Sequence, residues 1–148
     1  MKEFLLYIWQ LPQNILAYFV IFFSDAWYAS DSTISGCNKC IEYCTNCRDI
    51  ELYHTSHNFG VSLGKYIILN YTDCDSFTIK HEYGHTEQSK RLGWLYLIVI
   101  GIPSAIGNIY DRIAHKKWTE YKRKMWYYKQ PWEAWANKLA GINIAEEL

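Results

Sequence analysis

At 148 residues, with 15 Lys and Arg against 15 Asp and Glu, the chain is long enough for one domain with its own core and carries no formal net charge. That balance lacks the electrostatic footprint of nucleic-acid binding, so no nucleic-acid partner is expected. Half of the residues are hydrophobic and 18% are aromatic, with 7 Trp and 13 Tyr, a composition enriched where proteins meet a membrane–water interface.

From Phe4 to Phe23 no residue is charged, and the stretch is about as long as a bilayer span requires. Gln10, Pro12, Gln13 and Asn14 interrupt its middle. Proline removes a ladder hydrogen bond, and buried amides need partners. A kinked span, a re-entrant hairpin and an interfacial helix all fit this pattern. Ser24-Asp25-Ala26 also has the small-x-small form of a signal-peptide cleavage site, but Lys2 beside Glu3 is a poor basic start for one. Residues 1–24 are therefore expected to form a retained, membrane-associated segment.

Residues 25–50 read as a Cys-rich insert. Cys37, Cys40, Cys44 and Cys47 are spaced C-x2-C-x3-C-x2-C, which on a helix puts all four on one face. Two such C-x-x-C units can hold a structural metal or cluster, close two disulfides in an oxidising compartment, or serve packing or lipidation. Cys74 reads as a small buried residue.

From Ile50 to Asn70 the pattern turns to strands. Glu51 to His54 and Val61 to Leu69 flank a turn at His57-Asn58-Phe59-Gly60, which predicts a β-hairpin. His54 and His57 read as turn residues rather than ligands. The sequence then reaches Lys80-His81-Glu82-Tyr83-Gly84-His85, an H-E-x-x-H pattern. Asp73, Asp75 and Ser76 are good helix caps, so a helix from about Ser76 to about Leu92 is predicted. On it His81 and His85 lie one turn apart on the same face, where two ring nitrogens can grip one Zn²⁺. Glu82 lies beside them, a carboxylate able to take a proton from water at the metal. Gly84 costs the helix up to about 1 kcal/mol relative to Ala, and either admits another backbone to the site or is incidental.

Pro131-Trp132-Glu133-Ala134-Trp135-Ala136-Asn137 opens a second helix, with proline in its first turn and Gly141 at its end. Glu133 and Asn137 are again four apart. The H-E-x-x-H run together with this E-x-x-x-N resembles the gluzincin clan of zinc metallopeptidases, the group that includes thermolysin. That resemblance implies an α+β fold: a small zincin-like domain over residues 51–148, with a β-hairpin beside the H-E-x-x-H helix and C-terminal helices. It also implies His81, His85 and Glu133 as Zn²⁺ ligands and Glu82 as general base. Asn137 would orient His81, in a place where the clan carries Asp. Val61 to Asn70, the motif and Leu92-Gly93-Trp94-Leu95-Tyr96 further resemble a group of small uncharacterised bacterial membrane-associated proteins. That resemblance implies no particular substrate.

Leu92 to Tyr110 is uncharged, with Gly93, Gly101, Pro103 and Gly107 spaced through it. If Glu133 shares a metal with the two histidines, the chain between them crosses a membrane twice or not at all, and nineteen residues cannot cross twice as helices. An apolar hairpin at 92–110, bent near Pro103-Ser104, or a buried helix pair is expected. A single clean span would separate the ligands. From Asp111 to Gln130 basic and aromatic residues interleave, the pattern of a helix on anionic lipid. By the positive-inside bias this places the site on the cytoplasmic side of a bacterial inner membrane.

Together these readings describe a membrane-associated metallopeptidase whose partners are a peptide or protein substrate and a lipid surface. Its rivals are a non-enzymatic membrane interaction protein with a structural zinc site, and an exported, disulfide-stapled peptidase. His115, Tyr127 and Tyr128 are candidates for oxyanion stabilisation because they precede the Glu133 helix.

Overall fold

The computed structural model describes residues 2–28, 50–72 and 75–147. The expectations for Cys37, Cys40, Cys44, Cys47 and Cys74 fall outside the described residues. The fold is mixed α+β, built on a four-stranded sheet. In chain order the first elements are α1 (Lys2–Trp9), α2 (Leu11–Phe23), β1 (Trp27–Tyr28), β2 (Glu51–Thr55), β3 (Gly60–Leu63) and β4 (Tyr66–Asn70). There follow α3 (Ser76–Leu92), a 3₁₀ turn over Gly93–Leu95, α4 (Leu97–Ala114), α5 (Glu120–Tyr128), α6 (Pro131–Leu139) and α7 (Ile144–Glu147).

The sheet order is β1-β2-β4-β3. β2 and β4 are parallel, with Tyr53 opposite Ile68, while β1–β2 and β3–β4 are antiparallel. A hairpin is present, but not the one expected between 51–54 and 61–69. The second apolar run is two strands folded back on each other at Gly64-Lys65, where Gly64 takes φ +64°. Only glycine adopts that conformation without strain, and a Cβ there would also strike the Asn14 side chain at 2.0 Å. His54 accordingly lies buried inside β2 rather than in a turn, while His57 does lie in the bend between β2 and β3.

Alternation along β3 separates two layers. Leu63 and Val61 pack with Tyr66, Ala17, Val20 and Ile21 beneath α2. Ser62, between them, points the other way and bonds to α3. The N-terminal segment is thereby part of the domain core. Its break at Gln10 bends α1 against α2 by 75°. The amides that interrupt the apolar run are buried and their N–H groups find acceptors: Gln10 donates to Ser89, Gln13 to the Gly93 carbonyl and Asn14 to the Tyr7 carbonyl. The outer faces of α1 and α2 expose Phe4, Leu5, Ile8, Phe19, Phe22 and Phe23.

The hairpin expected over 92–110 is replaced by one helix. α4 runs through Pro103 because its first turn, Leu97–Gly101, is a π turn in which the Ile102 N–H reaches back to the Leu97 carbonyl. The widened turn absorbs the hydrogen bond that Pro103 cannot donate. Among the described residues, Leu97–Ala114 is one helix long and apolar enough to cross a membrane, with little of it buried, and the bent pair α1 and α2 together has the length and composition of a second, broken span. Its inward stripe is Ile100, Gly107 and Asp111, and its outward one is Ile98, Ile102, Ile106, Ile109 and Ile113.

The basic stretch after it divides in two. Asp111 accepts Arg123 Nη2 at 2.6 Å and Nε at 2.9 Å, and pairs with His115 Nδ1 at 3.0 Å. Trp118 stacks on His115 with ring centroids 3.8 Å apart. Thr119 then caps a new helix, α5. Arg123 is thus tied to a buried aspartate, whereas Lys116, Lys117, Lys122 and Lys124 are exposed.

Candidate metal centre

α3 spans Ser76–Leu92 as predicted, and its cap is Asp75, whose carboxylate accepts the Thr78 N–H at 2.7 Å. α6 begins at Pro131, and Gly141, at φ +68°, lies just past its end. The two helices pack closely because position 84 has no side chain. A Cβ on Gly84 would meet the Ala136 carbonyl oxygen at 2.1 Å. Of the two readings of Gly84, close backbone approach is the one the packing supports.

That approach brings the predicted residues together. His81 Nε2 lies 3.0 Å from Glu133 Oε2, and His85 Nε2 lies 3.1 Å from the same oxygen. The three donor atoms lie within 4.8 Å of one another, all buried, with Glu133 wholly so. Glu133 is therefore no solvated first-turn carboxylate.

Each histidine is oriented through its other nitrogen. His81 Nδ1 lies 2.8 Å from Asn137 Oδ1, the partnership the gluzincin resemblance implied. His85 Nδ1 lies 2.8 Å from Gln88 Oε1, whose amide nitrogen donates to the Trp132 carbonyl at 2.7 Å. Since that anchored Gln88 presents an oxygen, His85 Nδ1 is the protonated nitrogen and Nε2 turns its lone pair toward Glu133. Two lone pairs 3.1 Å apart require a proton or a cation between them. In a metal-free state the proton serves. Burial lowers the His85 pKa, but the Glu133 hydrogen bond and charge, with help from Glu82, outweigh it and raise the pKa to about 9. Burial likewise works to raise Glu133, but its hydrogen bonds to His81 and His85 hold it well below the usual carboxylate range.

A metal fits the same gap. Nitrogen and oxygen ligands at about 2.0–2.1 Å from a tetrahedral zinc are roughly 3.3 Å apart, within a few tenths of the two separations found. The donor set, two imidazoles and one carboxylate with imidazole N–H groups held by side-chain oxygens, suits a divalent transition-metal ion.

Glu82 lies beside this set without joining it. Its Oε2 is 2.8 Å from Ser62 Oγ, and its Oε1 lies toward Gly60, where a Cβ would come within 3.5 Å. Of the three oxyanion candidates, His115 belongs to the separate Asp111–Arg123–Trp118 cluster. Tyr127 bonds Ser104 at 2.9 Å, and the Tyr128 ring stands edgewise 4.9 Å from His81. Gln88, Ser62 and Ser104 were not singled out from sequence. Gln88 carried a signal, lying three residues after His85 on the same helical face. Ser62 and Ser104 carried none, because strand parity and the path of α4 are set only by the whole fold.

No protein-family model matches the chain, and neither a curated protein nor a solved structure matches it. What the fold and site define is an α+β protein with a buried two-histidine, one-glutamate set that can hold a metal ion.

Proposed function

We propose that this chain is a membrane-associated zinc metallopeptidase of the gluzincin type, with His81, His85 and Glu133 holding Zn²⁺ and Glu82 acting as general base. The observation that carries the reading is the convergence of both Nε2 atoms on one oxygen of Glu133 beside the Glu82 carboxylate. Zn²⁺ in a site with three protein ligands supplies Lewis-acid activation of a peptide carbonyl and of water. Ser62 holds the Glu82 carboxylate through Oε2, and that carboxylate takes the proton from the attacking water and returns it to the leaving amine. Tyr128 is the hydroxyl assigned to the developing oxyanion. Burial, reinforced by the charges of Glu82 and Glu133, raises its pKa and keeps it a donor at ordinary pH. Tyr127 is engaged by Ser104 and is excluded from that role.

Membrane association draws on the apolar α4 and on the exposed outer faces of α1 and α2. The convergence of ligands on either side of α4 in sequence fits a site lying alongside that helix, not at its two ends. A second reading draws on the burial of the donors: a closed structural zinc in a non-enzymatic membrane interaction protein. Glu82→Gln separates the two. The variant keeps the metal and loses peptide hydrolysis, measured with a library of quenched peptides and by mass spectrometry. Zinc retained with no hydrolysis by the wild-type chain supports the structural reading, and wild-type rates in Glu82→Gln remove Glu82 as the base.

A further inference from the structure

Glu133 has two carboxylate oxygens, and only one of them faces the histidines. Oε1 accepts the hydroxyl of Ser104, 2.6 Å away on α4, and Ser104 Oγ lies 2.9 Å from the Tyr127 hydroxyl on α5. A serine hydroxyl carries one hydrogen. Given to Glu133, it leaves Ser104 only lone pairs for its other partner, so Tyr127 must be the donor to Ser104. Ser104 and Tyr127 thus both bear on Glu133, Ser104 by donating to Oε1 and Tyr127 through Ser104 and by its own hydroxyl. Glu133 is wholly buried, so no bulk water stands ready to replace the serine.

We propose that Ser104 and Tyr127 are positioning residues for the third metal ligand. By occupying Oε1 they would leave Glu133 only Oε2 with which to hold a metal. The inference rests on the three-ligand reading above and adds residues that neither metal-binding motif contains. It also assigns a role to α4 beyond its apolar surface. The helix that separates the two ligand-bearing helices in sequence is itself part of the site, because its inward face carries the hydroxyl that holds Glu133. Removing that hydroxyl frees the carboxylate to turn and engage the metal through both oxygens, or to swing toward Tyr127.

The test uses the full chain, titrated with Zn²⁺ against a chromophoric chelator and with Co²⁺ for its visible absorption. Glu133→Ala is the reference for metal held elsewhere, including by the cysteines. Ser104→Ala is expected to weaken Zn²⁺ binding by about 10- to 100-fold, the usual effect of losing a ligand's partner. It should also lower the intensity of the Co²⁺ bands as the coordination number rises. Ser104→Thr, which keeps the hydroxyl, restores both, and Tyr127→Phe, which removes the hydroxyl behind Ser104 together with its own interaction with Glu133, weakens binding by a smaller factor. A purely structural role would lower the melting temperature and leave the Co²⁺ spectrum unmoved. Wild-type affinity and spectrum in both Ser104→Ala and Tyr127→Phe, with binding still lost in Glu133→Ala, overturn the positioning role alone. A wild-type chain whose metal content does not respond to Glu133→Ala overturns the three-ligand reading and this inference with it.

Discussion

Gly84→Ala sets two forces against each other. Alanine inside a helix is favoured over glycine by about 1 kcal/mol, so on local grounds the change stabilises α3. The new methyl, however, would lie 2.1 Å from the Ala136 carbonyl oxygen, which is backbone and cannot rotate away. A carbon–oxygen contact relaxes near about 3.3 Å, so α6 must withdraw by roughly 1.2 Å. Asn137 is the next residue, and its 2.8 Å bond to His81 would stretch to about 4 Å, beyond hydrogen-bonding range. The 3.0 and 3.1 Å separations at Glu133 would open by a similar amount. Loss of an orienting partner costs about 10- to 100-fold in metal affinity, or about 1.4–2.7 kcal/mol. The expected result is zinc binding weakened by at least tenfold in a competition titration, with the metal-free melting temperature unchanged or lowered. A variant that binds zinc like wild type and melts higher would refute the reasoning, because α3 and α6 would then not be held in register through Gly84.

Asn137→Asp tests the departure from the gluzincin pattern. The Asn137 amide nitrogen is buried with no hydrogen-bond partner among the described residues. Aspartate adds a charge that strengthens His81 as a ligand, so zinc should bind several-fold more tightly, measured by the same titration. The membrane reading is tested by replacing Ile102, Ile106 and Ile109, all more than half exposed on one face of α4, with serine. Each buried isoleucine is worth about 1.5–3 kcal/mol, so the triple variant should leave anionic vesicles in a flotation assay while keeping its zinc. Flotation equal to wild type would remove that face from membrane binding.

What could be read from the sequence was local. α3 begins and ends where its cap and its last apolar residue placed it, because Asp75 and the spacing of His81 and His85 act within a few residues. The pairing of His81 with Asn137 was legible only through the gluzincin resemblance, in which the residue four after the glutamate orients the first histidine of the motif. The sheet was not. One glycine, Gly64, folds a single apolar run into two strands, and the parallel partnership of β2 with β4 depends on contacts no local pattern encodes. Proline also misled: Pro103 reads as a bend, yet a π turn immediately before it lets α4 continue. Gln10, Gln13 and Asn14 mark a break of 75° between α1 and α2, as their place in the apolar run suggested, and they are also buried bonding groups of the domain. A polar residue in an apolar run reports only that a partner exists, not where.

The most direct test of the central claim is zinc stoichiometry on the full chain with Cys37, Cys40, Cys44 and Cys47 changed to serine, repeated with Glu133→Ala added. One zinc per chain is expected, lost or sharply weakened when Glu133 is removed. No zinc in the cysteine-free chain, or one that is indifferent to Glu133, would contradict it, and His81, His85 and Glu133 would then be a buried hydrogen-bonded cluster that holds two helices together.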